Sequence, residues 1–264
     1  SNLSGPGRSA ESDEPSYEFS PDLVTLAGGR EIEAEAIRTM RTHIMARHLE
    51  DGRRGLAVCS ATKDTGCTAV ATNLAVSLAQ IGIKTLLIDG DMRAPGVERL
   101  IRPVPASAGL KQCLTSPELH PNDQIHLDVL PNLSVMFAGG TTENAQELLG
   151  SEAFRTLVDR CLRDFEFTII DTPPADRCAD GRRISTVIGY GIVVARRNTS
   201  FFADITSLAN QLQEDGARVI GTIDRHQPIP RTLTPHGNAQ QAGGDVASDV
   251  RRDSSRMVGV DSPQ

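Results

Sequence analysis

The chain has 264 residues, 39% of them apolar, enough to build one sizeable core or two small ones. Its formal net charge of −7 argues against a nucleic-acid partner bound by phosphate neutralisation. Cys59, Cys67, Cys113, Cys161 and Cys178 are odd in number and include no C-x-x-C pair, the pattern of reduced cytosolic thiols rather than a disulfide framework or a zinc site. No run approaches the roughly 20 apolar residues of a membrane-spanning helix, so no direct membrane span is expected and any membrane role should pass through a partner.

In chain order, residues 1–27 are rich in Ser, Pro, Gly and acid, a composition that predicts a disordered tail. The stretch "REIEAEAIRTMRTHIMARHLE" (30–50) predicts a long helix with Ile37, Met40, Ile44 and Met45 toward the core and Glu35, Arg38 and Arg41 on the opposite face. Five short runs then read as strands: "GLAVCS" (55–60), "TLLIDGD" (85–91), "FTIIDTPP" (167–174), "YGIVVARR" (190–197) and "RVIGTID" (218–224). Each is apolar nearly throughout, as strands of a parallel sheet covered on both faces are. Helices are predicted between them. "TAVATNLAVSLAQIG" (68–82) carries a stripe of Val70, Leu74, Leu78 and Ile81, and "GSEAFRTLVDRCLRDF" (150–165) starts on a Ser151 N-cap. Strands alternating with helices of this length predict an α/β fold with a doubly wound, mainly parallel sheet over 28–227. A second disordered tail is expected over 228–264.

The chemistry gathers at strand ends. A strand running into a small-residue loop and then a helix presents backbone N–H groups to an anion. "Thr62-Lys63-Asp64-Thr65-Gly66-Cys67-Thr68" fits the phosphate-loop frame G-x-x-x-x-G-K-[ST] at Gly66 and Thr68, but not at its first glycine or its lysine, where Cys67 stands. Asp89 and Asp91 close one predicted strand and Asp171 closes another. In open parallel sheets ligands bind beyond the carboxyl ends of the strands, so the loop and three acids converge on one crevice. Hard oxygens beside phosphate suit Mg²⁺, with Thr68, Asp89 and Asp171 as candidate ligands.

"LLIDGDMRAP", "IIDTPP", "PNLSVMFAGGTTENAQELLGSEAFRTLV" and "EAEAIRTMRT" together resemble the bacterial tyrosine kinases of surface-polysaccharide synthesis, P-loop relatives of the MinD and ParA ATPases. The likeness runs from about Glu31 to Arg225. It implies a P-loop NTPase fold, with residues 61–68 as the nucleotide-binding Walker A element, Asp89 and Asp91 as an additional Walker A′ element, and Asp171 as Walker B. In such kinases these acids hold Mg²⁺, and a Walker A′ aspartate assists attack of a tyrosine hydroxyl on the γ-phosphate. The resemblance also implies a homo-oligomeric ring through Glu35, Arg38 and Arg41, the family's E-x-x-R-x-x-R helix.

Several positions depart from the family pattern. Lys63, Asp64, Thr65 and Cys67 replace the family loop's Pro, Gly, Glu and Lys; a neutral thiol cannot bridge phosphates, and Asp64 adds a like charge, so ATP or ADP binding with Mg²⁺ is expected to be weakened. Lys63 is one candidate to replace the lost charge. Cys67, at a helix N-terminus, is open to a second reading as a thiol of lowered pKa. Only Tyr17 and Tyr190 are present, so the C-terminal tyrosine cluster of the family is missing. Asp224 stands where the fold often carries a base-contacting Asn, and Arg182 and Arg183 occupy a segment that is usually apolar. These features point to a cytoplasmic regulatory subunit, a pseudokinase, of a polysaccharide synthesis and export complex. Its partner would be a membrane polysaccharide co-polymerase or chain-length adaptor of the Wzz-like type, which would hold it at the inner membrane. An active tyrosine kinase and a MinD/ParA-like positioning ATPase are the alternatives.

Overall fold

In "GLAVCS" the side chains of Leu56 and Val58 pack into one apolar cluster and those of Ala57 and Cys59 into another, and all four are buried. A strand is apolar at every position only when both faces of its sheet are covered. The computed structural model, which describes residues 15–49, 51–116, 118–196 and 200–225, has that arrangement. Its strands are β1 (Ser16–Phe19), β2 (Gly55–Ser60), β3 (Thr85–Asp89), β4 (Ile101–Val104), β5 (His126–Leu130), β6 (Leu133–Met136), β7 (Phe167–Asp171), β8 (Tyr190–Arg196) and β9 (Arg218–Arg225). Its α-helices are α1 (Glu31–Ile44), α2 (Cys67–Ala79), α3 (Leu110–Thr115), α4 (Ala145–Leu149), α5 (Glu152–Asp164), α6 (Asp180–Ile188) and α7 (Phe202–Glu214).

Seven strands form the central sheet in the order β5-β6-β3-β7-β2-β8-β9, parallel except for the antiparallel β5–β6 edge. One apolar cluster joins α1 and α2 to Leu56, Val58, Leu87 and Ile169; the other joins α5, α6 and α7 to Ala57, Ile88, Ile170 and Val193. The chain therefore has the α/β, mainly parallel architecture that the strand pattern predicts. In α2 every residue except Thr68 is buried, because α1 covers the side turned away from the sheet. The predicted stripe reaches too far: α2 ends at Ala79, and Ile81 beyond it is 46% exposed. Ser151 caps α5, its Oγ accepting from Phe154 N at 3.2 Å. The predicted helix 30–50 stays α-helical to Ile44 and continues as a π-helical turn, Met45–Leu49.

The predicted tail 1–27 is corrected over its second half. Residues 16–19 form β1, antiparallel to β4, and Leu23 is fully buried. Thr25 N and Oγ1 both approach Asn73 Oδ1 at 3.3 Å, and Asn73 Nδ2 donates to Asp22 O at 3.2 Å. A composition averaged over 27 residues hides the pairing strand and the Leu23-Val24 pair that docks on α2. The C-terminal segment 228–264 lies outside the described residues. Among the described residues no helix is long and apolar enough to cross a membrane.

Candidate functional site

At the carboxyl end of the sheet a cavity of about 590 Å³ opens over the loop between β2 and α2. Lys63, Asp64, Thr65, Gly66, Cys67 and Thr68 all line it, so the structure brings together the loop residues singled out by sequence, except Thr62. The loop is shaped by two left-handed residues. Gly66 (φ 84°) is the N-cap of α2, and Asp64 (φ 61°) takes a conformation that among side-chain-bearing residues Asn and Asp tolerate best. Replacing a glycine at 64 by aspartate therefore preserves the turn. The N-terminus of α2, with its first N–H groups free of helical partners, faces the same space.

Cys67 contributes to the cavity wall, but its thiol is directed to the β2 backbone. Its Sγ donates to Val58 O at 3.1 Å, and the residue is 8% exposed. Burial, with Asp171 close by, pushes its thiol well above the ordinary range. The alternative of a lowered-pKa, reactive cysteine is corrected here: the helix N-terminus is outweighed by desolvation and a neighbouring acid.

The three aspartates predicted to converge on one crevice have three different surroundings. Asp89 and Asp171 lie opposite one another in the β3–β7 register, both fully buried. Asp89 Oδ1 accepts from Asp91 N at 3.1 Å, and its Oδ2 accepts from Gly96 N and Val97 N, both at 2.9 Å. Its carboxylate thus braces the turn that follows β3 instead of facing the cavity, and burial, against those three donors, pushes it up to about 6. Asp91 does line the cavity; its Oδ1 accepts from Arg93 N and Ala94 N. Asp171 has neither oxygen hydrogen-bonded, although the Thr68 hydroxyl and the Cys67 thiol lie beside it. Burial first, and then the charge of Asp89, raises its carboxyl well above the carboxylate range.

Whether the residues suit a divalent cation turns on these oxygens. Two orphaned carboxylate oxygens beside a threonine hydroxyl fit one, since a buried acid without donors costs free energy until something pairs with it. Thr68 lines the cavity and Asp171, fully buried, does not; these two fit a cation by their free oxygens, whereas the oxygens of Asp89 already accept three backbone bonds. Among the described residues no cluster of three or more His, Cys, Asp or Glu side chains forms a metal site from protein alone, so further ligands would have to come from the bound anion and water.

Sequence reasoning missed how the turn after β3 is fixed. Gly96 packs on Thr68, where an added Cβ would sit 2.8 Å from Oγ1, so a glycine is needed for this turn to close on the loop. Arg93 Nε donates to the buried Asp180 Oδ2 at 2.7 Å, tying the turn to the first residue of α6. Arg182 makes a two-pronged pair with Asp215 (Nε–Oδ2 2.6 Å, Nη2–Oδ1 2.9 Å) that joins α6 to the end of α7. Arg183 rests against Gly150.

The expected oligomer contacts divide. Arg38 pairs with Glu35 at 2.8 Å on the exposed face of α1, but Arg41 reaches inward, its Nη1 donating to Ser77 O and Oγ at 3.1 Å. Tyr17 Oη is bonded to His126 Nδ1 at 2.8 Å, and Tyr190 is half-buried against His48 and Arg53. Asp224 is exposed near the end of β9 and does not line the cavity.

No protein-family model matches the chain. It is 29% identical over 198 residues to "Putative tyrosine-protein kinase CapB" of Staphylococcus aureus, covering 75% of this chain and 86% of that protein. It is 30% identical over 202 residues to tyrosine-protein kinase ptk of Acinetobacter johnsonii, of which it spans only 27%. The solved chimeric protein CapA2B2 superposes with a TM-score of 0.70 at 27% identity, covering 82% of this chain and 94% of that one. The cell division ATPase MinD of Pyrococcus furiosus, at 22% identity and a TM-score of 0.54 over 64% of this chain and 70% of that one, shares the fold.

Proposed function

We propose that this chain, which is similar to tyrosine-protein kinase CapB over 75% of its length, is a regulatory, catalytically disabled bacterial tyrosine kinase relative within a surface-polysaccharide synthesis and export complex. The observation that carries the proposal is the Cys67 thiol, which is neutral and turned into the core where the phosphate-loop frame has an ammonium. Removing one charge-assisted contact to phosphate costs roughly 1.5–3 kcal/mol, or about 10-fold to 150-fold in affinity. The backbone part of the site does not depend on that side chain. Gly66, the left-handed Asp64 and the N-terminus of α2 support retention of a nucleoside di- or triphosphate. Magnesium, when bound with the nucleotide, would supply charge neutralisation between phosphates, and Asp171 and Thr68 are the residues that would hold it.

Calorimetric titration with ATP and ADP in the presence of Mg²⁺, on the wild type and on Cys67→Lys, tests the proposal. The expected result is weak wild-type binding that tightens about 10-fold or more with lysine. Equal affinity in the two proteins would overturn the role given to Cys67. Recruitment to the cytoplasmic side of the inner membrane would run through a Wzz-like co-polymerase adaptor, and co-purification with such a protein checks it. Self-association through the Glu35–Arg38 face of α1 belongs to the same proposal and is read from the mass in solution. An active tyrosine kinase is the second reading, favoured by the unpartnered oxygens of Asp171.

A further inference from the structure

The strands on either side of β2 each deliver an arginine to the cavity. Beyond β7, the segment 172–177 is fixed to the loop by two backbone bonds: Ala175 N donates to Ser60 O at 2.9 Å and Asp176 N to Ala61 O at 3.0 Å. Arg177 follows directly and lines the cavity. On the other side, β8 ends on Arg196, whose Nη1 donates to Asp64 O at 2.9 Å and which also lines the cavity. Neither guanidinium is paired with a carboxylate among the described residues.

Of the other cations around the cavity, Lys63 lies on the loop itself and has no carboxylate partner among the described residues, whereas Arg99 is engaged. Arg99 donates to the carbonyls of Ala94 and Pro95, and Asp22 is paired with Arg30 at 3.0 Å. A guanidinium carries five N–H donors in a planar fork suited to phosphate. The bond to Asp64 O uses one nitrogen of Arg196, the one hydrogen bond of its guanidinium among the described residues. That bond also holds the left-handed residue of the loop in place.

We infer that Arg177 and Arg196 form a two-sided clamp on the polyphosphate of a nucleoside di- or triphosphate, supplying from the neighbouring strands the charge that the loop lacks at Cys67. The clamp rests on the proposed nucleotide site, but it is a separate statement. It concerns what binds the anion, whereas the regulatory reading concerns the absence of phosphoryl transfer.

The test is calorimetry of the full chain with Mg-ADP and with pyrophosphate. Arg177→Ala and Arg196→Ala should each weaken both ligands about 10-fold or more. Arg196→Lys should recover part of the loss, and Arg155→Ala, on the exposed side of α5, should stay within about twofold of the wild type. Alanine variants that bind both ligands within about twofold of the wild type overturn the clamp. So does a lowered melting temperature with unchanged affinity, which would mean that Arg196 only braces the loop. A wild type that binds neither ligand overturns the clamp as well, and leaves the regulatory reading standing as a scaffold without nucleotide. Turnover of ATP by the wild type contradicts the regulatory reading while leaving the clamp to be judged by the affinities.

Discussion

Asp89 and Asp171 face each other across two parallel strands, equally buried, yet one accepts three backbone hydrogen bonds and the other none. Burial is costly for both; only Asp89 is compensated within the fold. A buried acid whose donors come from its own following turn stabilises that turn. A buried acid without donors is left uncompensated by the fold. The contrast separates an acid satisfied by its own turn from one that is not, although both end an apolar strand in the same way.

The largest expected effect comes from removing the structural member. Asp89→Ala strands three buried N–H groups and should lower stability by about 3–6 kcal/mol, seen as a large drop in the thermal midpoint. A near-wild-type midpoint would break the comparison. Asp171→Asn should do the opposite in metal-free buffer at neutral pH, stabilising the fold by about 1–3 kcal/mol because the uncompensated burial of an ionisable carboxyl is removed. It should also abolish any stabilisation by Mg²⁺ with nucleotide, as read from melting curves with and without both.

Stability should also depend on pH with a definite sign. The carboxyl of Asp89 is raised to about 6 and that of Asp171 is also raised well above an unfolded value of about 3.9. The folded state therefore holds more protons than the unfolded chain above about pH 4. Stability without Mg²⁺ should fall as pH rises from about 4 through about 6, and Asp171→Asn should flatten the curve. A wild-type midpoint that rises across this window would contradict the assignment.

The smallest effect concerns Cys67. With its thiol buried and raised, iodoacetamide near neutral pH should modify it more slowly than Cys113 and Cys178, which are partly exposed. Selective rapid labelling of Cys67 would show that the thiol faces the cavity.

Much of this was legible in the sequence. The runs that became β2, β3, β7 and β8 are apolar at nearly every position because helices cover both faces of their sheet, and that pattern survives without any partner in view; β9, found with them, is a half-buried edge strand. The loop and the acids at the strand ends were found for the same reason. The edge strand β5, its neighbour β6 and the small β1–β4 pair were not: β1, β4 and β5 are short and partly exposed, β6 is buried but only four residues long, and β1 and β4 lie far apart in sequence. The difference between Asp89 and Asp171 was also hidden. It depends on Gly96 and Val97 folding back onto Asp89, a tertiary event that no strand pattern encodes. Arg196 was visible as the end of an apolar strand; what could have marked it was an arginine closing a strand whose other residues are apolar.

The measurement that tests the account most directly is ATP turnover and tyrosine phosphotransfer by the wild type with Mg²⁺, run beside Cys67→Lys and Asp171→Asn. The account predicts wild-type activity at background, with Cys67→Lys the variant that gains activity if any does. Wild-type turnover that disappears in Asp171→Asn would contradict it and establish a working enzyme without the loop lysine.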